Sequence, residues 1–424
     1  MTPRKILFWI HLIAGCTAGL IILLMSATGV LLTYERQMVS SIERDGLRLQ
    51  VARKAQKGQM PLPLEQLLAK VSAGAALPPN AAVVMRGDAT AEPVELNFGR
   101  EGVLYADPYT GEILSHGSPD TRKFFQRVTA WHRWLGQQGG RSPARAVTGA
   151  SNLLFLVVVC SGLFIWLPRT WSKQSVRAVT WFRGGLSGKA RDFNWHNTIG
   201  IWSLVPLFFV VSSAVPMSYT WANDLLYTMT GNEPPRPPGP QEGRAKKDGP
   251  REERAGKPKN GARPGESGGE RREGEGRSRE ARSADAFTGI DAGYETVLAR
   301  AGSWQSITMR LPNNANAPLA FTIDEGTGGQ PQLRRTVTLE RGTNQVVREE
   351  TFASNNLGRR LRMWARFVHT GEAFGIVGQT IAGIASLGAC VLCYTGIALA
   401  IRRWAAWRAR RKTKVEEKET VMVA

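Results

Sequence analysis

At 424 residues, with 55 Lys and Arg against 35 Asp and Glu and a formal charge of +20, the chain first suggests a nucleic-acid partner. The placement of that charge argues against it, because much of it lies at the borders of long apolar runs and no nucleic-acid motif accompanies it. Cys16, Cys160, Cys390 and Cys393 all fall inside those runs, so the segments between them can hold no disulfide.

The first apolar run, 6–33, is long enough to cross a ~30 Å hydrocarbon core as a helix. Arg4 and Lys5 precede it as in a signal peptide, but the run outlasts an h-region and no clean small-x-small site follows, so it reads as a retained anchor. Residues 34–122 read as an α+β segment outside the membrane, with a helix near 62–72 and strands near 81–85, 94–98 and 103–106. Its closing turn is Asp107-Pro108-Tyr109-Thr110-Gly111-Glu112. Residues 123–168 combine a helix carrying His132 with a second span at 146–167.

The loop 169–192 holds Arg169, Lys173, Arg177, Arg183, Lys189 and Arg191 against Asp192 alone. A third span occupies 195–219 within the unit 193–219. Residues 233–285 are dense in Pro, Gly, Arg and Glu and cannot bury enough surface to fold, which predicts a disordered linker. A second α+β segment, 286–358, reads as a helix near 291–301 and strands near 306–311, 319–323 and 336–340. The unit 359–401 joins a helix carrying His369 to a fourth span at 376–401, and 402–424 is a basic tail. Short basic loops stay cytoplasmic, so both termini and the short loop read as inside and the two long loops as outside.

The two halves register on one another. His11 precedes Tyr34 by 23 residues and His196 precedes Tyr219 by 23, with Ala27-Thr28-Gly29-Val30 aligning on Ser212-Ser213-Ala214-Val215. Each half then runs outer segment, histidine helix, span. Two parallel repeats of this kind imply a pseudo-twofold axis along the membrane normal. The fold class expected is an α-helical membrane protein of four spans in two repeats, with two small α+β outer domains.

That axis pairs His11 with His196 at the inner face and His132 with His369 at the outer face. Haem iron takes two axial nitrogens from opposite sides of a flat ring, which an equivalent pair across an axis supplies. The candidate site is therefore two b-type haems, with His11, His196, His132 and His369 as iron ligands. Interfacial histidines bonded to lipid or backbone are the bland alternative. Zinc and copper fit less well, since no carboxylate or thiol completes either pair. Gly15, Gly136 and Gly200 follow three of these histidines by four residues and leave room on the same helical face; Ala373 stands at the fourth position. Trp131 and Trp195 read as belt anchors or as walls of the haem sites, and Arg133, Arg362 and Arg366 as membrane-edge charge or as partners of haem propionates. His116 reads as a surface residue, and Cys390-x-x-Cys393 as packing within an apolar helix.

The strand-turn Tyr105-Ala106-Asp107-Pro108-Tyr109-Thr110-Gly111-Glu112-Ile113-Leu114 is similar to the close of a PepSY domain. With the histidine-led spans ending in Ser161-Gly162 and Thr395-Gly396, it makes the chain resemble the PepSY-associated transmembrane family. The second outer segment carries Glu340-Arg341-Gly342-Thr343-Asn344 instead of that turn. The resemblance implies PepSY-like domains in the periplasm, an inner-membrane location in a Gram-negative bacterium, and two haems serving reduction of Fe(III)-siderophore to release Fe(II). The partners it implies are membrane lipid, a ferric siderophore or other periplasmic acceptor, and a cytoplasmic or quinol electron donor. Two other readings stay open: a quinol-linked cytochrome b serving another acceptor, and a haem-free membrane protein whose outer domains bind a peptide, protease or metal complex.

Overall fold

In the computed structural model the described residues are 2–78, 81–87, 91–99, 101–137, 142–168, 171–235 and 284–423. The predicted linker 233–285 lies almost wholly outside them.

The chain opens with α1 (Pro3–Leu32), whose proline sits in the first turn, where a missing N–H costs nothing. After a break at Thr33 and Tyr34 the rod continues as α2 (Glu35–Gln56), a charged helix that apolar periodicity did not announce. Next come α3 (Leu64–Gly74) and the strands β1 (Ala82–Arg86), β2 (Val94–Asn97), β3 (Val103–Ala106) and β4 (Ile113–Ser115). Then follow α4 (Pro119–Trp134), α5 (Ser142–Trp166), α6 (Lys173–Thr180), α7 (Gly188–Ser218) and α8 (Thr220–Met229). The second set is α9 (Ile290–Ala301), β5 (Ser306–Arg310), β6 (Leu319–Asp324), β7 (Arg334–Leu339), β8 (Val346–Thr351), α10 (Leu357–His369) and α11 (Gly375–Val423).

Among the described residues, four stretches are long and apolar enough to cross a membrane, and they lie in α1, α5, α7 and α11. They pack as a ring in the order α1–α5–α7–α11, so α1 and α7 lie across it from one another. Small residues face inward: Ala14, Ala18, Ala385 and Ala389 are buried, while Ile13, Leu20, Val205 and Ile384 are exposed. That inversion of a soluble core is what lipid favours, since small side chains let helix backbones approach and large ones meet the acyl chains. At Gly388 a Cβ would lie 2.6 Å from Ser203 Oγ, so the α7–α11 contact needs glycine there.

On one side of the ring stands an antiparallel sheet of order β4-β3-β2-β1-β5-β6-β7-β8. β1 and β5 join its halves, with Val84 opposite Thr308 and Met85 opposite Ile307. The segments 34–122 and 286–358 thus meet in one sheet. They also share one core, in which Leu67, Leu68 and Val71 of α3 and Val297 of α9 pack with Val83, Leu96, Ile307, Met309, Phe321 and Val337. Physically, a lone four-stranded meander would leave β1 or β5 as an apolar edge with unpaired backbone groups, and pairing the edges removes both.

The sheet is fastened to the helices through Glu43 of α2, whose side chain is fully buried. Its carboxylate accepts from Arg122 Nε (2.7 Å) and Nη2 (2.6 Å), from the Ser118 N–H (2.9 Å) and from Tyr105 Oη (3.0 Å). One side chain therefore ties β3, α2 and α4 together.

Candidate functional site

The four histidines named from sequence meet as two pairs. His11 of α1 and His196 of α7 face each other across the ring with centroids 6.3 Å apart. His132 of α4 and His369 of α10 also meet, with centroids 6.2 Å apart. Thr28, which bonds His132, lies 17 residues along α1 from His11, or roughly 25 Å at the helical rise. One pair therefore sits on the side of the basic tail, and the other on the side of the sheet.

The hydrogen bonds favour one tautomer at each ring. His11 Nδ1 pairs with Ser161 Oγ (3.1 Å), His132 Nδ1 with Thr28 Oγ1 (3.0 Å) and His196 Nδ1 with Thr395 Oγ1 (2.9 Å). Each hydroxyl already donates to a carbonyl on its own helix: Ser161 to Val157, Thr28 to Leu24 and Thr395 to Val391. Its oxygen is left only to accept, so Nδ1 donates. His369 Nδ1 bonds the Val210 carbonyl at 2.8 Å, which can only accept. With the hydroxyl protons on those carbonyls, all four rings carry Nδ1–H and leave Nε2 bare, the form that ligates metals, and the Nδ1 bond fixes the ring's orientation.

Three further glycines lie directly against the imidazoles. A Cβ on Gly162 would meet His11 Cε1 at 3.4 Å, one on Gly29 would meet His132 Cε1 at 3.6 Å, and one on Gly396 would meet His196 Cε1 at 3.2 Å. Each follows the hydroxyl residue that bonds the same ring. Gly136 instead ends α4 at φ +75°, packed on the Trp131 ring; Gly200 faces Leu392, and Gly15 has no protein atom within 4 Å of a built Cβ. The signal was present as Thr28-Gly29, Ser161-Gly162 and Thr395-Gly396, but its partner histidine is set only by packing. The fourth motif, Ser213-Ala214, departs from it: Ser213 donates to Val210 O, the carbonyl that His369 uses.

On the tail side, buried Asp192 of α7 pairs with Arg191 (3.0 Å) and with Arg402 of α11 (2.8 Å), one turn before His196. Trp195 lies by Phe182 with Arg191 over its ring. These side chains line a cavity of about 510 Å³ with Ile199 and Val391. On the sheet side, Trp131 is half exposed, Arg133 stacks on Trp134, Arg362 donates to Asn223 and Arg366 stacks on Phe367. His116 is exposed, and the four cysteines are free thiols within the apolar helices.

A metal bound to one nitrogen of each ring at ~2 Å, with each centroid about 1 Å behind, would set the centroids about 6 Å apart. Both pairs match that spacing. Among the described residues no group of three or more His, Cys, Asp or Glu side chains gathers for a metal. Two nitrogens do not complete a protein-only sphere, but they complete one whose other four positions come from a macrocycle.

The family model described as the PepSY-associated TM region matches residues 8–403, nearly the whole chain. Compared with curated proteins, the sequence finds no match.

Proposed function

The chain belongs to the PepSY-associated TM family, and on that premise we propose that it is a haem-containing electron-transfer protein of the bacterial inner membrane. Its task is reduction of periplasmic Fe(III)-siderophore, which releases Fe(II). The observation that carries the haem reading is the arrangement of two histidine pairs, each ring presenting a bare Nε2 and each pair spaced for one metal. Haem bound there would supply one-electron exchange at either end of the bundle.

The residues of the chain do the rest. His11 with His196 and His132 with His369 would each hold one haem iron through Nε2, while Ser161, Thr395, Thr28 and the Val210 carbonyl hold the proton on Nδ1. Gly162, Gly29 and Gly396 allow the rings their approach. Asp192 and Arg402 lock α7 to α11 beside the tail-side pair. The cavity at Trp195 supports donor access on that side, for a cytoplasmic protein or a quinol. The matching order α3-β1-β2-β3-β4 and α9-β5-β6-β7-β8 supports a duplicated unit with two PepSY-like halves. The basic loop and tail support the tail side as cytoplasmic and the sheet as periplasmic.

The test is the absorption spectrum of protein purified after haem-replete expression. Wild type carries two low-spin haems, and His196→Ala and His132→Ala each carry about one; a protein without Soret absorption refutes the haems. Reduction rates with ferric siderophores against other acceptors then separate a siderophore reductase from a cytochrome b serving another partner.

A further inference from the structure

The helices that bring up the two sheet-side histidines differ on the face leading to the site. On α10 the residues seven and three positions before His369 are Arg362 and Arg366; on α4 the residues seven and three before His132 are Phe125 and Thr129. Phe125 is 2 % exposed, an ordinary apolar contact. Arg362 is half-buried, held by its Nε bond to Asn223 of α8 at 3.1 Å. Arg366, one turn nearer His369, stacks on Phe367 and is open to solvent. Among the described residues neither guanidinium has a carboxylate partner, in a chain where Glu43, Asp107, Asp192 and Asp324 each have a cation.

Two like charges one helical turn apart repel, and a half-buried cation without a counter-charge is costly. Burial, then the neighbouring Arg366, pushes the Arg362 pKa down against the pull of Tyr227, so the chain itself leaves this charge under-compensated. The bond to Asn223 occupies only Nε of Arg362, and the equivalent positions on α4 are Phe and Thr, so the pair of guanidinium groups is peculiar to α10. Forked guanidinium groups match a carboxylate in plane and charge, which a hydroxyl or a carbonyl does not offer.

We propose that Arg362 and Arg366, with Asn223 positioning the first, form a carboxylate-binding site beside the sheet-side histidine pair. Two sources carry that chemistry. One is a propionate of the haem proposed above, and for this source the inference rests on that reading. The other is a carboxylate of the acceptor, as on a citrate-type ferric chelate.

The experiment uses the full chain in detergent, as wild type, Arg366→Gln, Arg362→Gln and the double variant. The first variant alters an exposed side chain and guards against misfolding of the others. Three readouts are taken: haem count with midpoint potential, KM for ferric citrate against a neutral ferric trihydroxamate, and calorimetric binding of citrate. A shifted potential or lost sheet-side haem, equal for both chelates, assigns the carboxylate to haem. A rise of about tenfold or more in KM for ferric citrate alone, with weaker citrate binding and an unchanged spectrum, assigns it to the acceptor. Unchanged potential, haem count, KM and citrate affinity in the double variant overturn the site. A wild type without Soret absorption would instead sink the haem reading, and citrate binding would still test the arginines.

Discussion

Glu65 and Asp291 cap each other's helices. Asp291, in the first turn of α9, accepts from the backbone N–H of Leu64 at 2.5 Å, where α3 begins. Glu65, in the first turn of α3, accepts from the N–H groups of Gly289 at 2.7 Å and Asp291 at 3.2 Å, where α9 begins. Orphan N–H groups at both helix starts are thereby satisfied by a residue more than 200 positions away. The exchange fastens α3 to α9 above the β1–β5 seam.

Asp291→Ala and Glu65→Ala are each expected to cost about 1–2 kcal/mol of sheet stability by loss of the cap. Because the two caps share one joint, the double variant should fall short of the sum. Thermal unfolding of the detergent-solubilised protein, followed in the sheet region by hydrogen exchange, checks this; strict additivity would argue against a shared joint.

Burial raises the Asp291 pKa, as do Glu65 and Glu295 nearby, against the N–H groups of Glu65 and Leu64 that favour the charge. A carboxyl raised in the folded state stabilises fully below its unfolded value. That contribution is lost as pH rises through the folded value. Stability in the sheet should therefore fall as pH climbs from about 4. Asp291→Asn keeps an accepting oxygen and should flatten that window. An unchanged pH profile in the Asp291→Asn variant would refute the assignment.

The Nδ1 acceptors should tune the proposed haems. Thr395→Val and Ser161→Ala are expected to weaken haem retention at the tail-side pair by about 10–100-fold, and Thr28→Val at the sheet-side pair. Ser213→Ala leaves the carbonyl that His369 uses and should change little. Haem titration of each variant, with redox potentiometry, distinguishes these sites from one another.

Gly396→Ala would set a Cβ 3.2 Å from His196 Cε1 and should displace the ring, lowering tail-side haem content. Gly46→Ala is the control: no atom lies within 4 Å of the added Cβ, and α2 should gain about 1 kcal/mol from helix propensity. If both substitutions leave the spectrum alone, the close approach at Gly396 has no functional weight.

Removing Glu43 strands Arg122 and Tyr105 on buried surface, so Glu43→Ala should cost about 3–5 kcal/mol. Arg122 lies ten residues before His132 on the same helix, so the loosened α4 should also shift the potential of the haem proposed at the sheet-side pair. Arg122→Ala should reproduce both effects without adding to them.

Much of the architecture is local chemistry. Spans at 6–33, 146–167, 195–219 and 376–401 were readable because about 20 uncharged residues in lipid must close their own backbone hydrogen bonds. Six of the eight strands were readable from alternation and turns, down to 103–106 matching β3 (Val103–Ala106), whereas the edge strands β4 and β8 were not. Helix α2 was not, because its sequence is charged nearly all round; it is held as the continuation of α1 and by Glu43.

Four runs apolar and long enough to cross a membrane, two strand sets and four histidines near the ends of those runs follow from the order of residues alone. These depend on neighbours within one or two turns of each other, where composition and periodicity act. Packing was needed to pair β1 with β5, to let Glu65 and Asp291 trade caps, and to set Gly162, Gly29 and Gly396 under the rings. It also selected the Nδ1–H tautomer, since a hydroxyl's role depends on which carbonyl and which imidazole it meets. Those partners are more than 100 residues apart in the chain, and no local pattern encodes a distance closed by packing.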